Sequence, residues 1–175
     1  MKIIKSVYNI IFNSVKTVAE LSVYGMILLL FIDVVGRYVF SKSTLISYDL
    51  TGYFLVGITF LGAAYGLRTD GHIRITIFTD KIPERARKRW LFFIDLISLF
   101  FIAVLFIKSI ELFRFSFKSK ASSSTFMGEP LWVPHLIVPV GLGAFLLEEL
   151  KNMVLALKEL IYSVKQSKGI IGREN

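Results

Sequence analysis

Residues 90–113 read WLFFIDLISLFFIAVLFIKSIELF, and three more runs of this kind lie at 19–40 (AELSVYGMILLLFIDVVGRYVF), 50–67 (LTGYFLVGITFLGAAYGL) and 132–150 (WVPHLIVPVGLGAFLLEEL). About 20 mostly apolar residues are enough for a helix to cross the hydrocarbon core of a bilayer. Inside lipid a backbone must satisfy its own hydrogen bonds, and a helix does so within one segment. The four blocks therefore predict an all-α membrane protein, a single membrane domain over 1–175 with four transmembrane helices in a small bundle. The first block is too long for the apolar stretch of a cleaved signal peptide, and no A-x-A-like site follows it.

Composition agrees with the blocks. The 175 residues are 54% hydrophobic and 19% charged, with mean hydropathy +0.64, against roughly 45–50% and about 25% in soluble domains. Cysteine is absent, which excludes disulfides, thiolate metal sites and thiol redox chemistry. Two histidines are too few for most metal or haem sites, and no cofactor is expected. The net charge of +8 comes from basic residues clustered beside the apolar blocks. Membrane topology explains that distribution better than nucleic-acid binding does.

Fifteen of the Lys and Arg residues fall in the N-terminal segment, the second connection and the C-terminal tail, against six near the other ends of the blocks. The positive-inside rule then predicts an N-in/C-in topology. Residues 1–18 place Ile3, Ile4, Val7, Ile10, Ile11 and Val15 on one face, with Lys2, Lys5 and Lys16 mostly opposite. This predicts an amphipathic interfacial helix lying in the headgroup plane, either as a simple anchor or packed against a partner. The fourth helix is expected to continue through 151–168 as an extended cytoplasmic helix, before a tail at 169–175. Trp90 and Trp132 are the aromatic interface anchors, alongside Lys2, Lys5 and Lys16.

Charges within the blocks need partners, because each is costly in lipid. Asp33 and Arg37 stand four apart and can pair along one helix face; a contact to a partner helix or an ion pathway are the other readings. Asp95 is expected to pair with the basic cluster at 85–89 or with a partner protein. Lys108, Glu111 and Arg114 form a wet, self-neutralising rim. Pro139 offers no N–H to the carbonyl of His135, so the fourth helix is expected to kink there. The connection FSFKSKASSSTFMGEPL is either a docking surface or a flexible loop.

Residues 60–74, FLGAAYGLRTDGHIR, mark an exit from the membrane. Gly62, Ala63, Ala64 and Gly66 make a small-xxx-small surface that lets another helix approach. Arg68 can snorkel toward lipid phosphates. His72 is an interfacial hydrogen-bonding residue, or a relay or ligand.

GRYVF (36–40), Asp49, FLGAAYGLR (60–68), GHIRI (71–75) with a Pro83-containing basic segment, and a late P-x-x-x-x-P-x-G element from Pro134 to Gly141 occur in one order. In that order and spacing the chain resembles the small, DctQ-type membrane subunit of tripartite ATP-independent periplasmic (TRAP) transporters, over roughly residues 20–150. Two departures stand out. Ile46, Tyr48 and Asp49 occupy positions where the family usually has Trp before an acidic pair, and Thr76 stands where it tends to have Asp.

The resemblance implies a scaffold and anchor for a large, multi-helix, elevator-type subunit in the bacterial inner membrane. That subunit would carry the substrate and sodium sites for secondary active uptake of an organic acid, sialic acid or a C4-dicarboxylate. A periplasmic substrate-binding protein would deliver the ligand. Arg37, Tyr38, Asp49, Gly62, Gly66, Arg68, His72 and Arg74 are the expected contacts to the large subunit. No catalytic constellation and no phosphate-binding loop is visible, so no enzyme activity is assigned. Two rivals remain. A homodimeric small multidrug-type exporter would need a mid-membrane Glu, and Glu20 lies at the edge. A redox-enzyme anchor would need ligands that the lone His72 and His135 do not jointly supply.

Overall fold

The structure, a computed structural model, describes residues 2–40, 46–69, 83–123 and 128–171. It holds four helices: α1 (Lys2–Phe40), α2 (Ile46–Arg68), α3 (Glu84–Ser119) and α4 (Trp132–Ile171). All four are long and apolar enough to cross a membrane. At 1.5 Å per residue, the 23 residues of α2 give about 34 Å, close to the ~30 Å hydrocarbon thickness. The 39, 36 and 40 residues of α1, α3 and α4 give about 58, 54 and 60 Å, so these three tilt or project beyond the core.

The amphipathic stretch at 1–18 is not a separate element. From Lys2 onward it is the first part of α1; Phe12 is fully buried and Val15 nearly so, against Leu61, Ala64 and Ala144, while Ile10 and Ile11 of the apolar face are exposed. The side chains of Lys2 and Lys5 lie outside the described residues. At the other terminus α4 runs through Pro139 and past residue 150 as one helix.

Nor do the four helices close into a bundle. Among the described residues α1 packs on α2, α2 on α4 and α4 on α3, while α1 meets α4 only slightly and α3 meets no other helix. The helices stand in the spatial order α1–α2–α4–α3. Within this row α2 and α4 run parallel, and α1 and α3 run antiparallel to their neighbours.

Small residues set that order. A Cβ on Gly141 would lie 2.7 Å from the backbone of Phe60, so α2 and α4 touch main chain to main chain. Gly25 seats the Phe54 ring, Gly57 faces Ser22, and Gly143 faces Phe106. Between helices in lipid the hydrophobic effect contributes little, and close packing of this kind drives association. Gly62 and Gly66, the stripe visible in the sequence, have nothing within 4 Å of a would-be Cβ. Among the described residues α2 meets its neighbours through Phe54, Gly57, Phe60, Leu61 and Ala64.

A row has two uncovered sides, and the burial follows. Among the described residues the buried hydrophobic side chains are Phe12, Val15, Leu61, Ala64, Leu142 and Ala144. No part of the apolar window of α3 is buried, and only 6% of that of α1. Trp90 begins α3, and Trp132 packs edge-on against Phe117 near its end, ring centroids 6.1 Å apart. Twenty-seven residues of helix separate Trp90 from Phe117, about 40 Å, which matches a bilayer with its headgroups.

Candidate functional site

Two polar clusters interrupt this apolar row, one at each end. The first is a pocket of about 850 Å³ where the end of α1 meets the starts of α2 and α4 and the α3–α4 connection. Helical spacing puts Asp33 and Arg37 on one face of α1, and Arg37 Nη2 donates to Asp33 Oδ2 at 2.7 Å. The Asp33 side chain is 9% exposed and that of Arg37 60%. The carboxylate is therefore held inside while the guanidinium reaches the rim. Asp49, in the first turn of α2, accepts from Ser123 Oγ at 3.5 Å. The Tyr53 hydroxyl donates to the Pro130 carbonyl at 3.3 Å. Glu129 and Asp49 both lie close enough to Tyr53 to act on it electrostatically.

The connection that closes this pocket is folded at its described ends. Lys120 takes a left-handed conformation at φ 49°, and its N–H and that of Ala121 both donate to the Ser116 carbonyl, terminating α3. Ser122 and Pro130 then form an antiparallel bridge. Ser123 N–H donates to Glu129 O at 2.8 Å, and Leu131 N–H to Ala121 O at 3.0 Å. Ser116, buried on α3, lies 2.5 Å from Nδ1 of His135 on the pocket wall. This contact ties α3 to α4 at the level of the pocket.

The second cluster sits at the opposite end. Arg68, nineteen residues beyond Asp49 and so about 28 Å along α2, donates to Asn9 Oδ1 at 2.8 Å. Its guanidinium lies 5.1 Å from the Tyr8 ring and 5.0 Å from the Phe12 ring. It reaches back to α1. On α4, Glu148 is 1% exposed and accepts from Lys151 through Oε1. Lys151 also donates to the Tyr8 hydroxyl at 3.2 Å. Beside them Lys16 pairs with Glu20 at 3.5 Å and lies over the Tyr65 ring. Three helices are thus joined at this end by hydrogen bonds from charged side chains.

Of the residues singled out in the sequence, Asp33, Arg37 and Asp49 meet in the pocket, and Arg68 is at the far end. Tyr38 is 84% exposed beside the pocket. A Cβ on Gly62 or Gly66 would meet nothing within 4 Å, Asp95 is half-buried on α3, and His72 and Arg74 lie outside the described residues. On the α3 rim Lys108 donates to Glu111 at 2.8 Å, both exposed. Sequence reasoning missed Tyr8, Asn9, Glu148, Glu149 and Lys151. Two adjacent acids within an apolar helix, with Lys three positions on, were the available signal.

A family model described as tripartite ATP-independent periplasmic transporters, DctQ component, matches residues 26–159. Over 128 residues the chain is 24% identical to the ectoine TRAP transporter small permease protein TeaB of Halomonas elongata, a match covering 73% of this chain and 64% of that relative. Over 74 residues it is 28% identical to a Haemophilus influenzae protein provisionally named a TRAP transporter small permease, covering 42% of this chain and 46% of the relative. The chain therefore spans less than two thirds of either relative's length. The pocket, Arg68, Glu148 and Lys151 fall inside the family match, while Tyr8, Asn9 and Phe12 precede it.

Proposed function

The chain belongs to the DctQ-component family of tripartite ATP-independent periplasmic transporters, and from that premise we propose that it is a scaffold subunit with no transport site of its own. Its partner is a much larger multi-helix membrane subunit of elevator type. The complex takes up an organic acid, sialic acid or a C4-dicarboxylate, on a sodium gradient, with a periplasmic binding protein delivering the substrate. The membrane is the bacterial inner membrane, with both termini cytoplasmic and the pocket at the periplasmic face. One relative carries ectoine in its name, so the choice of substrate lies with the other two components.

The observation that carries this reading is the open row. A carrier must enclose its substrate, and among the described residues α1 and α3 do not meet to close the row around a central cavity. The charged clusters lie at the two ends. What the row offers is lateral surface: along α1, Tyr24, Ile27, Phe31 and Tyr38 are each more than half exposed, as are Ile97, Phe100, Phe101 and Phe115 along α3. Such faces suit lipid on one side and a large membrane protein on the other. Arg37, Tyr38, Asp49, Gly62, Gly66, Arg68, His72 and Arg74 are the proposed contacts to that partner.

The test is a mild-detergent pull-down of the full chain from native membranes, with intact masses of the complex. A one-to-one assembly with a many-helix membrane protein is the expected result. A homodimer alone, under conditions that preserve other complexes, would sink the reading. Within the complex, Arg37→Ala and Arg68→Ala are expected to reduce assembly or uptake, and full uptake by both would remove these arginines from the interface.

A further inference from the structure

At the Arg68 end of the row, a hydrogen-bond circuit through three helices is closed at every link but one. From Asn9 on α1 it passes to α2, where Arg68 Nη2 donates to Asn9 Oδ1. From Tyr8, the neighbour of Asn9 in the chain, it passes to α4. There Lys151 donates both to the Tyr8 hydroxyl, at 3.2 Å, and to Glu148 Oε1. The two ends of the circuit are Arg68 Nη1 and Glu148 Oε2. Both atoms are buried, and neither has a hydrogen-bond partner among the described residues. They therefore do not bond each other.

The fold brings these ends into one neighbourhood. Ala64 on α2 and Ala144 on α4 belong to one buried cluster. Arg68 and Glu148 each follow by four residues, about one helical turn. Because α2 and α4 run parallel, both side chains leave at the same height toward the same core. Arg68 Cζ and Lys151 Nζ lie 5.1 and 5.4 Å from the centroid of a single ring, that of Tyr8. Glu148, bonded to Lys151, is held on the same side of the row as Arg68.

The chemistry of the two ends narrows what can join them. Nη1–H donates and Oε2 accepts, so the link must accept on one side and donate on the other. An inorganic cation donates no hydrogen bond and is repelled by Arg68. A chloride ion donates none either and is repelled by Glu148. Neither atom has open surface for a lipid headgroup or a partner's side chain to reach. Water accepts and donates, carries no charge and is small enough to be enclosed.

We infer that one internal water molecule bridges Arg68 Nη1 and Glu148 Oε2. It accepts from the guanidinium and donates to the carboxylate. The Tyr8 hydroxyl accepts from Lys151 and keeps its own proton for a third hydrogen bond, the usual number for a buried water. The bridge closes the circuit through α1, α2 and α4 and leaves neither ion with an unmet buried atom, which is costly away from bulk water. It belongs to the packing of the chain itself, so it stands or falls apart from the transport reading.

The experiment images the full chain, with whatever protein accompanies it, in nanodiscs by cryo-electron microscopy at a resolution that shows ordered water. A single density peak is expected about 2.7–3.2 Å from both Arg68 Nη1 and Glu148 Oε2, with those two atoms about 5 Å apart. A direct contact between them, no peak, or a peak bonded to one of them alone would overturn the assignment. So would a peak that gains scattering when rubidium replaces sodium or bromide replaces chloride, since the occupant would then be an ion. In magic-angle-spinning NMR of the same sample, water protons should transfer magnetisation to Glu148 Cδ several-fold faster than to Ala144 Cβ. Arg68→Met removes the donor and keeps a long stem, and should slow that transfer several-fold. Transfer unchanged in Arg68→Met would assign the water to Lys151 and remove the bridge. The density measurement needs no variant.

Discussion

Glu148 shows most directly how single residues work in this chain. It is 1% exposed, its Oε1 is paired with Lys151, and its Oε2 has no protein partner among the described residues. Removing the cation leaves a buried carboxylate uncompensated, which typically costs 3–5 kcal/mol for a fully buried pair. Because Lys151 is itself 45% exposed, Lys151→Ala is expected to destabilise the chain by about 2–3 kcal/mol. Adding Glu148→Gln to that variant should restore part of the loss. Unfolding of the four proteins of this cycle in detergent measures the coupling, and a coupling of zero would show that the pair is incidental. Arg68→Ala loses one hydrogen bond and two ring contacts at the α1–α2 seam, and about 1–2 kcal/mol is expected from that. The Asp33–Arg37 pair was visible as i, i+4 spacing in the sequence. Glu148–Lys151 has a similar signal but escaped notice, because the end of α4 reads first as an apolar face.

At the scale of elements, glycines decide which helices touch. Gly141→Ala places a methyl 2.7 Å from the Phe60 main chain. Backbone cannot rotate aside, so α2 and α4 must separate. Overpacking of this kind costs about 1–3 kcal/mol, and a melting temperature several degrees lower is the expected readout. Gly57→Ala meets only the Ser22 side chain, which can turn away, and should be milder. A Cβ at Gly62 or Gly66 meets nothing inside this chain, so Gly62→Ala and Gly66→Ala should leave its own melting unchanged. If these positions face the large subunit, both variants lose co-purification, and undiminished co-purification would take them out of the interface. The sequence shows every one of these glycines, and it cannot rank them, because the distinction depends on which helix lies opposite.

For the whole molecule, the row can be distinguished from a closed bundle by cross-linking, and the absence of cysteine makes the chain a ready background. A Cβ at Gly57 stands 3.4 Å from Ser22 Cβ, close to the usual separation in a disulfide. Ser22→Cys with Gly57→Cys is therefore expected to form an intrachain disulfide efficiently. Leu28→Cys with Phe101→Cys joins α1 to α3, which are not in contact among the described residues, and should not. A disulfide in the second pair at the rate of the first would mean that the four helices close on themselves.

The sequence by itself determined that there are four membrane-crossing helices, because length and hydropathy are local quantities that lipid reads directly. It also determined the i, i+4 pair at Asp33 and Arg37, since helical spacing alone brings those side chains together. Helix ends came out longer than the apolar blocks, because polar turns such as 84–89 and 114–119 extend a helix outside the hydrocarbon without changing the hydropathy signal. Only the tertiary structure decided that α4 lies between α2 and α3, that Phe12 is buried in protein, and that segments more than eighty residues apart build one pocket. Lipid is as apolar as leucine, so hydropathy cannot say which side of a helix meets protein. That choice is made by close fit, such as Gly141 on Phe60, and by polar groups that find each other only once the helices are placed.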